Sequence, residues 1–287
     1  MKFAGFLRVA MLGALAVWIF LMDVSPAFAD ILISPRRAIL TDAARHAVLS
    51  LHNPGTIART YSLKWVERRL TESGTLIDVK EGENPRSIAG MVRFAPRRVV
   101  VAPGQTQTVR LDYQPPAELV AGEYRSFLRI GQEPLANGNS GTPVASGEQD
   151  GMTFRVDALL SFSVPVFVRH GQGSGTAAIT AIAPTLVKQE TGGKDESALQ
   201  VTLTRSGEFS TYGRLVVYQQ LNANAPVEEI SQVEGVAMYV EVKGTKRVIN
   251  LKPGSQLIPG SYIRVTYEGE GEERGTVFAE RSFQVGQ

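Results

Sequence analysis

The chain has 287 residues, 30 Lys and Arg against 28 Asp and Glu, a formal net charge of +2, and no cysteine. So even a balance, without a dense basic block, argues against nucleic acid as a partner. The missing cysteines exclude disulfides, a thiol nucleophile and any thiolate metal site, so the fold must rest on its hydrophobic core.

The first segment carries Lys2 and Arg8, an apolar stretch over 9–22, then Pro26 and Ala27-Phe28-Ala29. A basic start, a short apolar run and small residues at the two recognition positions read as a secretory signal peptide over 1–29. The run is about 14 residues, short of the roughly 20 that span a bilayer. Cleavage after Ala29 would export residues 30–287, and no later stretch is apolar enough to cross a membrane.

From residue 31 the text alternates Val, Ile, Leu, Tyr and Thr with polar residues, punctuated by Gly, Pro and Asn. Strands are predicted over 47–51, 61–66, 99–101, 106–111 and 124–130. The first ends at the turn Asn53-Pro54-Gly55, and Pro103-Gly104 stops the third. Tyr61, Leu63 and Trp65 share one face, as do Val109 and Leu111. Short strands at this spacing suggest a sandwich or barrel. No helical periodicity and no tandem repeat follows residue 30.

Residues 131–151 are nearly all loop formers, an unusually long connection that is either mobile or functional. The segment after it is the most informative. Every even residue over 154–168 is apolar: Phe154, Val156, Ala158, Leu160, Phe162, Val164, Val166 and Val168. Most odd positions are polar, with Leu159, Pro165 and Phe167 as exceptions. This predicts one strand of about 15 residues, some 50 Å long, where 5 or 6 residues is usual. One sandwich cannot cover it all, so part of its apolar face must meet something else. Pro165 has no N–H to donate and points to an edge position. His170 to Gly175 reads as a linker. Seven more strands are predicted over 179–182, 199–204, 213–218, 236–242, 247–251, 261–267 and 277–285, enough for a second sandwich.

Catalytic constellations are missing. His46, His52 and His170 lack metal-ligand spacing. There is no G-x-S-x-G elbow and no phosphate-binding glycine loop. Glu268, Glu270, Glu272 and Glu273 crowd a glycine-rich turn without an EF-hand arrangement, and read as a solvated hairpin tip. The arginine pairs Arg36-Arg37, Arg68-Arg69 and Arg97-Arg98 read as solvated surface by default. The chain is expected to be no enzyme, with no cofactor and no metal site.

Several segments together carry a resemblance. Ser34-Pro35-Arg36-Arg37-Ala38-Ile39-Leu40 places arginine just before a short apolar run. Leu49-Ser50-Leu51-His52-Asn53 is followed by Tyr61 and Trp65. The richest match runs over 94–111: Phe94-Ala95-Pro96, the apolar Val99-Val100-Val101, Pro103-Gly104-Gln105, then Val109-Arg110. Gly122-Glu123-Tyr124 and the long alternating strand complete it. Over about 31–170 the chain resembles the PapD-like periplasmic chaperones of pilus and fimbrial assembly. The resemblance implies an all-β fold of two immunoglobulin-like sandwiches at an angle, with 30–170 and 171–287 as the domains.

It also implies a function. Members of that family lend a strand to a pilus subunit that lacks its own last strand, a form of β-augmentation, and pass it to an outer-membrane usher. The lent side chains would be Phe154, Val156, Ala158 and Leu160, while the even row over 162–168 continues into the chaperone's own core. An exposed apolar edge is an aggregation hazard, which self-association of the free protein would shield. The family anchors the subunit's terminal carboxylate with two basic residues. The first maps to Arg37, with Arg36 on the opposite face if the strand is regular. The second, a lysine, falls on Pro165, so Arg155 or Arg169 would have to stand in. Arg169 also matches the residue that orients the domains. Its acidic partner, expected near 123–126, is replaced there by Arg125, which alters that bridge. The expected site is therefore Arg37 and Arg169 as anchors beside the 154–160 row, in the periplasm. The competing reading is an envelope or secreted structural or adhesive sandwich that lends no strand.

Overall fold

The computed structural model describes residues 31–134, 142–149, 152–188 and 195–286, with backbone alone at 142–149 and 152–157. The expected signal peptide over 1–29 lies outside the described residues. In chain order the first half contains β1 (Leu32–Ser34), β2 (Ala38–Thr41), β3 (His46–His52), β4 (Arg59–Leu70), β5 (Leu76–Val79), β6 (Val92–Ala95), β7 (Arg98–Val101), β8 (Thr106–Tyr113), β9 (Gly122–Gln132), β10 (Thr142–Gln149), β11 (Met152–Ala158) and β12 (Ser161–His170).

One sheet has the order β1-β3-β8-β6, and the other β2-β12-β9-β4-β5 with β7 also on β4. Their inner faces meet in a core that includes Leu40, Leu49, Leu51, Tyr61, Leu63, Leu111, Leu128 and Ile130. Alternation of side chains along each strand puts these residues on one face and the polar ones outside. The segment over 34–40, which the resemblance reads as one strand, is broken in two. β1 pairs antiparallel with β3, the chain bends at 35–37, and β2 joins the opposite sheet parallel to β12. One segment thus edges both sheets.

The predicted single strand over 154–168 is also two strands. β11 pairs with β10, while β12 pairs with β9 from Ser161 opposite Gly131 to His170 opposite Gly122. The break falls at Leu159 and Leu160. There the Leu160 carbonyl accepts from the Gln132 amide at 2.9 Å, and the Leu160 amide donates to the Gln132 side chain at 3.4 Å. The ladder with β9 ends on that exchange. The expected loop over 131–151 is partly strand, because β10 finds an antiparallel partner in β11 despite its Gly, Pro and Ser content.

The second half contains β13 (Gly175–Val187), β14 (Glu196–Gly207), β15 (Thr211–Gln220), β16 (Val227–Met238), β17 (Gly244–Asn250), β18 (Tyr262–Gly269), a 3-10 turn (Gly271–Glu273) and β19 (Val277–Gln284). Its sheets are β13-β14-β17 and β16-β15-β18-β19, closed over Leu199, Val201, Leu215, Val217, Ile249, Val265 and Tyr267. The chain is therefore all-β, with two sandwiches.

A third apolar cluster joins them. Leu70, Phe127 and Phe167 of the first sandwich bury against Ala237, Tyr239 and Val242 of the second. Strand was expected over 236–242, but β16 ends at Met238. A turn closed by the Val242 amide on the Tyr239 carbonyl at 3.0 Å carries Tyr239, Glu241 and Val242 across the joint. The β4–β5 turn touches the second sandwich too: the Glu72 carbonyl accepts from the Thr245 hydroxyl at 2.7 Å. Gly74 in that turn has φ +83, a conformation that favours glycine, and the Arg247 guanidinium lies where a Cβ would stand.

Candidate functional site: an open strand edge ending at a buried arginine

β12 is the centre of the site. Along its whole length one edge is bonded to β9, but β2 covers the other edge only from Val166 onward. Among the described residues, positions 161–165 thus have an open edge, and β11 before them pairs only with β10. Pro165, which has no N–H, is the last position before β2 begins. Val164, Val166 and Val168 are buried in the first core, with Phe162 packed against it. The odd row faces the other way, where Phe167 enters the joint between the sandwiches.

Of the expected donor row, Ala158 is half-buried and Leu160 exposed, as is neighbouring Leu159. The backbones of Phe154 and Val156 stand opposite Gly147 and Ala145. Their side chains, and that of Arg155, lie outside those the structure describes.

Arg37 closes the open edge. Ala38 pairs with Val166 in parallel register, so Arg37 stands at the level of Pro165. It lies in a bend rather than a regular strand, with Arg36 exposed and Arg37 only 7% exposed. Its guanidinium is stacked 4.9 Å from the Phe167 ring and 4.4 Å from the Tyr212 ring. None of its three side-chain nitrogens makes a hydrogen bond, and the nearest carboxylate, Glu272, is 3.6 Å from Nε. Neither ring contact satisfies a guanidinium N–H, so the donors of Arg37 are left for an acceptor. Burial raises the pKa of the Tyr212 phenol and Glu270 adds to this, while Arg37 and Arg36 oppose it.

Arg169 is engaged within the chain through all three of its side-chain nitrogens. Nε donates to Glu123 at 3.0 Å, Nη1 to Glu273 at 3.1 Å and Nη2 to the Ser210 carbonyl at 3.0 Å. Glu123, fully buried, also accepts from the Ser210 amide at 3.1 Å and from the Ser210 hydroxyl. The inter-sandwich bridge that Arg125 was expected to disturb is therefore present, made by Glu123 two positions earlier. Arg125 adds a second one. It contacts Glu241 at 2.6 Å, stacks 3.7 Å from the Tyr239 ring and donates to the Arg68 carbonyl at 3.1 Å.

The acidic segment is not a solvated tip. Glu268 accepts from Arg214 and Thr266, Glu270 from the Gly235 amide, and Glu272 and Glu273 reach Arg37 and Arg169. Burial alone would raise the Glu268 pKa, but hydrogen bonds from Arg214, Thr266 and Tyr218 together with the Arg214 charge bring it below the ordinary value. The contacts of Glu272, Glu273, Ser210, Tyr239 and Glu241 carried no sequence signal, since each depends on how the two sandwiches meet. Beside Arg169 lies a cleft of about 670 Å³ lined by Asp42, Gly171, Phe209, Glu273 and Phe278.

The histidines are paired locally. His170 Nδ1 lies 2.7 Å from Asp42 and 3.1 Å from the Tyr113 hydroxyl, His46 lies 3.0 Å from Asp112, and His52 lies 3.1 Å from the Thr106 hydroxyl. Burial pushes the Tyr113 phenol up to about 12. No cluster of His, Asp and Glu among the described residues could hold a metal ion.

No family model matches the chain, and no curated protein matches it. Solved structures do. The YadV chaperone aligns at 11% identity and a TM-score of 0.42, covering 90% of this chain and 100% of that one. The Pseudomonas aeruginosa CupB2 chaperone aligns at 10% identity and a TM-score of 0.40, covering 89% and 100%. The CsuC–CsuE chaperone–tip adhesion subunit complex of Acinetobacter baumannii Csu pili gives 13% identity and a TM-score of 0.41, covering 90% and 99%. Likeness at this level is no warrant for a role, which must come from the chain's own residues. In outline, the chain is similar to chaperones of pilus and fimbrial assembly over about nine-tenths of its length.

Proposed function

We propose that this protein is a periplasmic chaperone that holds a pilus or fimbrial subunit by β-augmentation and delivers it to an outer-membrane usher. Residues 30–170 form the capturing domain, and 171–287 buttress it. One observation carries the reading: the open edge at 161–165 runs into Arg37. β2 is parallel to β12 and begins at Ala38 opposite Val166. A strand added to the same edge in the same direction would lie collinear with β2 and end at Arg37. The reverse direction would bring a chain's amino terminus against the guanidinium. A cation selects the carboxylate end, and guanidinium binds carboxylate in bidentate fashion. Main-chain bonds to the edge supply affinity, and the alternating side chains supply fit.

The exposed Leu160 belongs to the partner-facing surface, together with the backbone of β11. Arg169 is assigned to the joint, since each of its three side-chain nitrogens already donates within the chain. That leaves Arg37 as the anchor.

Copurification from periplasm tests the proposal. The wild-type chain brings down a small sandwich subunit in a one-to-one complex. Leu160→Asp abolishes the complex while circular dichroism and the unfolding midpoint stay as in the wild type, and Arg37→Ala weakens it sharply. A complex that survives Leu160→Asp refutes strand donation. Undiminished capture by Arg37→Ala removes the anchor.

A further inference from the structure

Arg37 is the least satisfied cation at the site. It is buried and stacked on two rings, yet makes no hydrogen bond with any of its three nitrogens. What stands over it is the acidic turn between β18 and β19. That turn is pinned on both sides of Glu272. On one side the Glu270 amide donates to the Tyr212 carbonyl at 3.1 Å, and the Glu270 carboxylate accepts from the Gly235 amide at 2.9 Å. On the other, Glu273 bonds Arg169 at 3.1 Å, and the Gly269 amide donates to the Thr276 carbonyl at 2.8 Å across the base. Glu272 is the loose member. Its side chain is 48% exposed, and it approaches Arg37 Nε only to 3.6 Å. The flanking Gly271 and Gly275 have φ values of +62 and +95, with open space where a Cβ would be.

We propose that Glu272 is an internal carboxylate lid on Arg37, which the terminal carboxylate of a captured strand displaces. The inference rests on the anchor role given to Arg37 and adds how that site is kept closed when empty. The exchange favours the incoming group. An ion pair whose carboxylate is half-exposed and stands beyond hydrogen-bond length is weak, whereas an in-plane carboxylate gives the guanidinium two charge-assisted bonds. The lid also keeps a basic slot from binding stray anions. A free anion brings no strand to bond the open edge, so it must displace Glu272 with nothing else gained.

Two measurements decide this. In the first, a short peptide of alternating Val and Thr with a free carboxyl end is compared with its C-terminal amide. Glu272→Gln is expected to tighten binding of the acid about 2- to 5-fold and leave the amide unchanged. Arg37→Gln removes the preference for the acid in either background. If Glu272→Gln leaves the acid affinity unchanged while Arg37→Gln still removes the preference, the lid is refuted and the anchor stands. If acid and amide bind alike in the wild type and in Glu272→Gln, both fail. The second needs no ligand: solvent exchange of the Arg37 Nε–H, followed by NMR, is expected to quicken in Glu272→Ala. Unchanged exchange overturns the lid.

Discussion

Glu123 is the carboxylate on which the joint between the sandwiches turns, and replacing it by Gln gives a measurable loss. Its side chain is fully buried and meets Arg169 at 3.0 Å and both the amide and hydroxyl of Ser210. The substitution keeps the shape and removes the charge. Arg169, 15% exposed, then keeps Glu273 and the Ser210 carbonyl. Removing one partner of a buried pair costs about 3–5 kcal/mol, and the two surviving contacts put this case at the low end, about 3 kcal/mol. With a urea m-value near 3 kcal/mol/M, the midpoint falls by about 1 M. Trp65 is the single tryptophan after residue 30, so its fluorescence follows the first sandwich alone, and far-ultraviolet circular dichroism follows both. The charge-free pair Glu123→Gln, Arg169→Met is expected to recover part of the loss, because replacing both ions strands neither. A shift below about 0.3 M, with no recovery in the double variant, would mean a solvated pair worth under about 1 kcal/mol and would refute the reasoning.

Glu241→Ala breaks the second bridge and leaves Arg125 on Tyr239 with only the Arg68 carbonyl. Because Glu241 is 22% exposed, the loss lies between the exposed and buried ranges, about 2–3 kcal/mol, and calorimetry should show a melting point roughly 5–10 °C lower. Asp42 gives an acid-range test. The Gly171 amide is the largest single influence, and with His170 it holds the Asp42 carboxyl below the ordinary 3.8 in spite of desolvation. A depressed folded pKa stabilises above the unfolded value, and that stability is lost as pH falls through the folded one. Between pH 6 and pH 3 the wild type should therefore lose more stability than Asp42→Asn, read from urea midpoints, and equal losses would sever the link. Free protein sheltering its open edge should form concentration-dependent oligomers in ultracentrifugation, dissolved by a bound subunit, and a strict monomer at every concentration would count against shielding.

Strand positions were readable where one face is buried, because the period-2 alternation through Leu49, Leu51, Tyr61, Leu63, Val109 and Leu111 records a real inner face. The even row at 162–168 likewise marks the core side of β12. The break at Leu159–Leu160 was invisible, since apolar alternation continues across it while the hydrogen-bond partner changes from β10 to β9. β10 hid among turn-forming residues because its strand state depends on a neighbour rather than on its own propensity. At the site, arginine before an apolar run pointed to Arg37. Which of Arg36 and Arg37 turns inward depends on the bend at 35–37 and not on strand parity. The acidic turn looked solvated because its partners, Arg37 and Arg169, come from more than a hundred residues earlier.

The central claim is that a partner strand lies on the 161–165 edge with its carboxyl end at Arg37. A photo-crosslinking amino acid in place of Ser163, activated in the periplasm and mapped by mass spectrometry, tests it most directly. The account predicts adducts within the last residues of a single sandwich subunit, lost in Arg37→Ala. Adducts at internal positions of that partner, or only to a second copy of this chain, would contradict it.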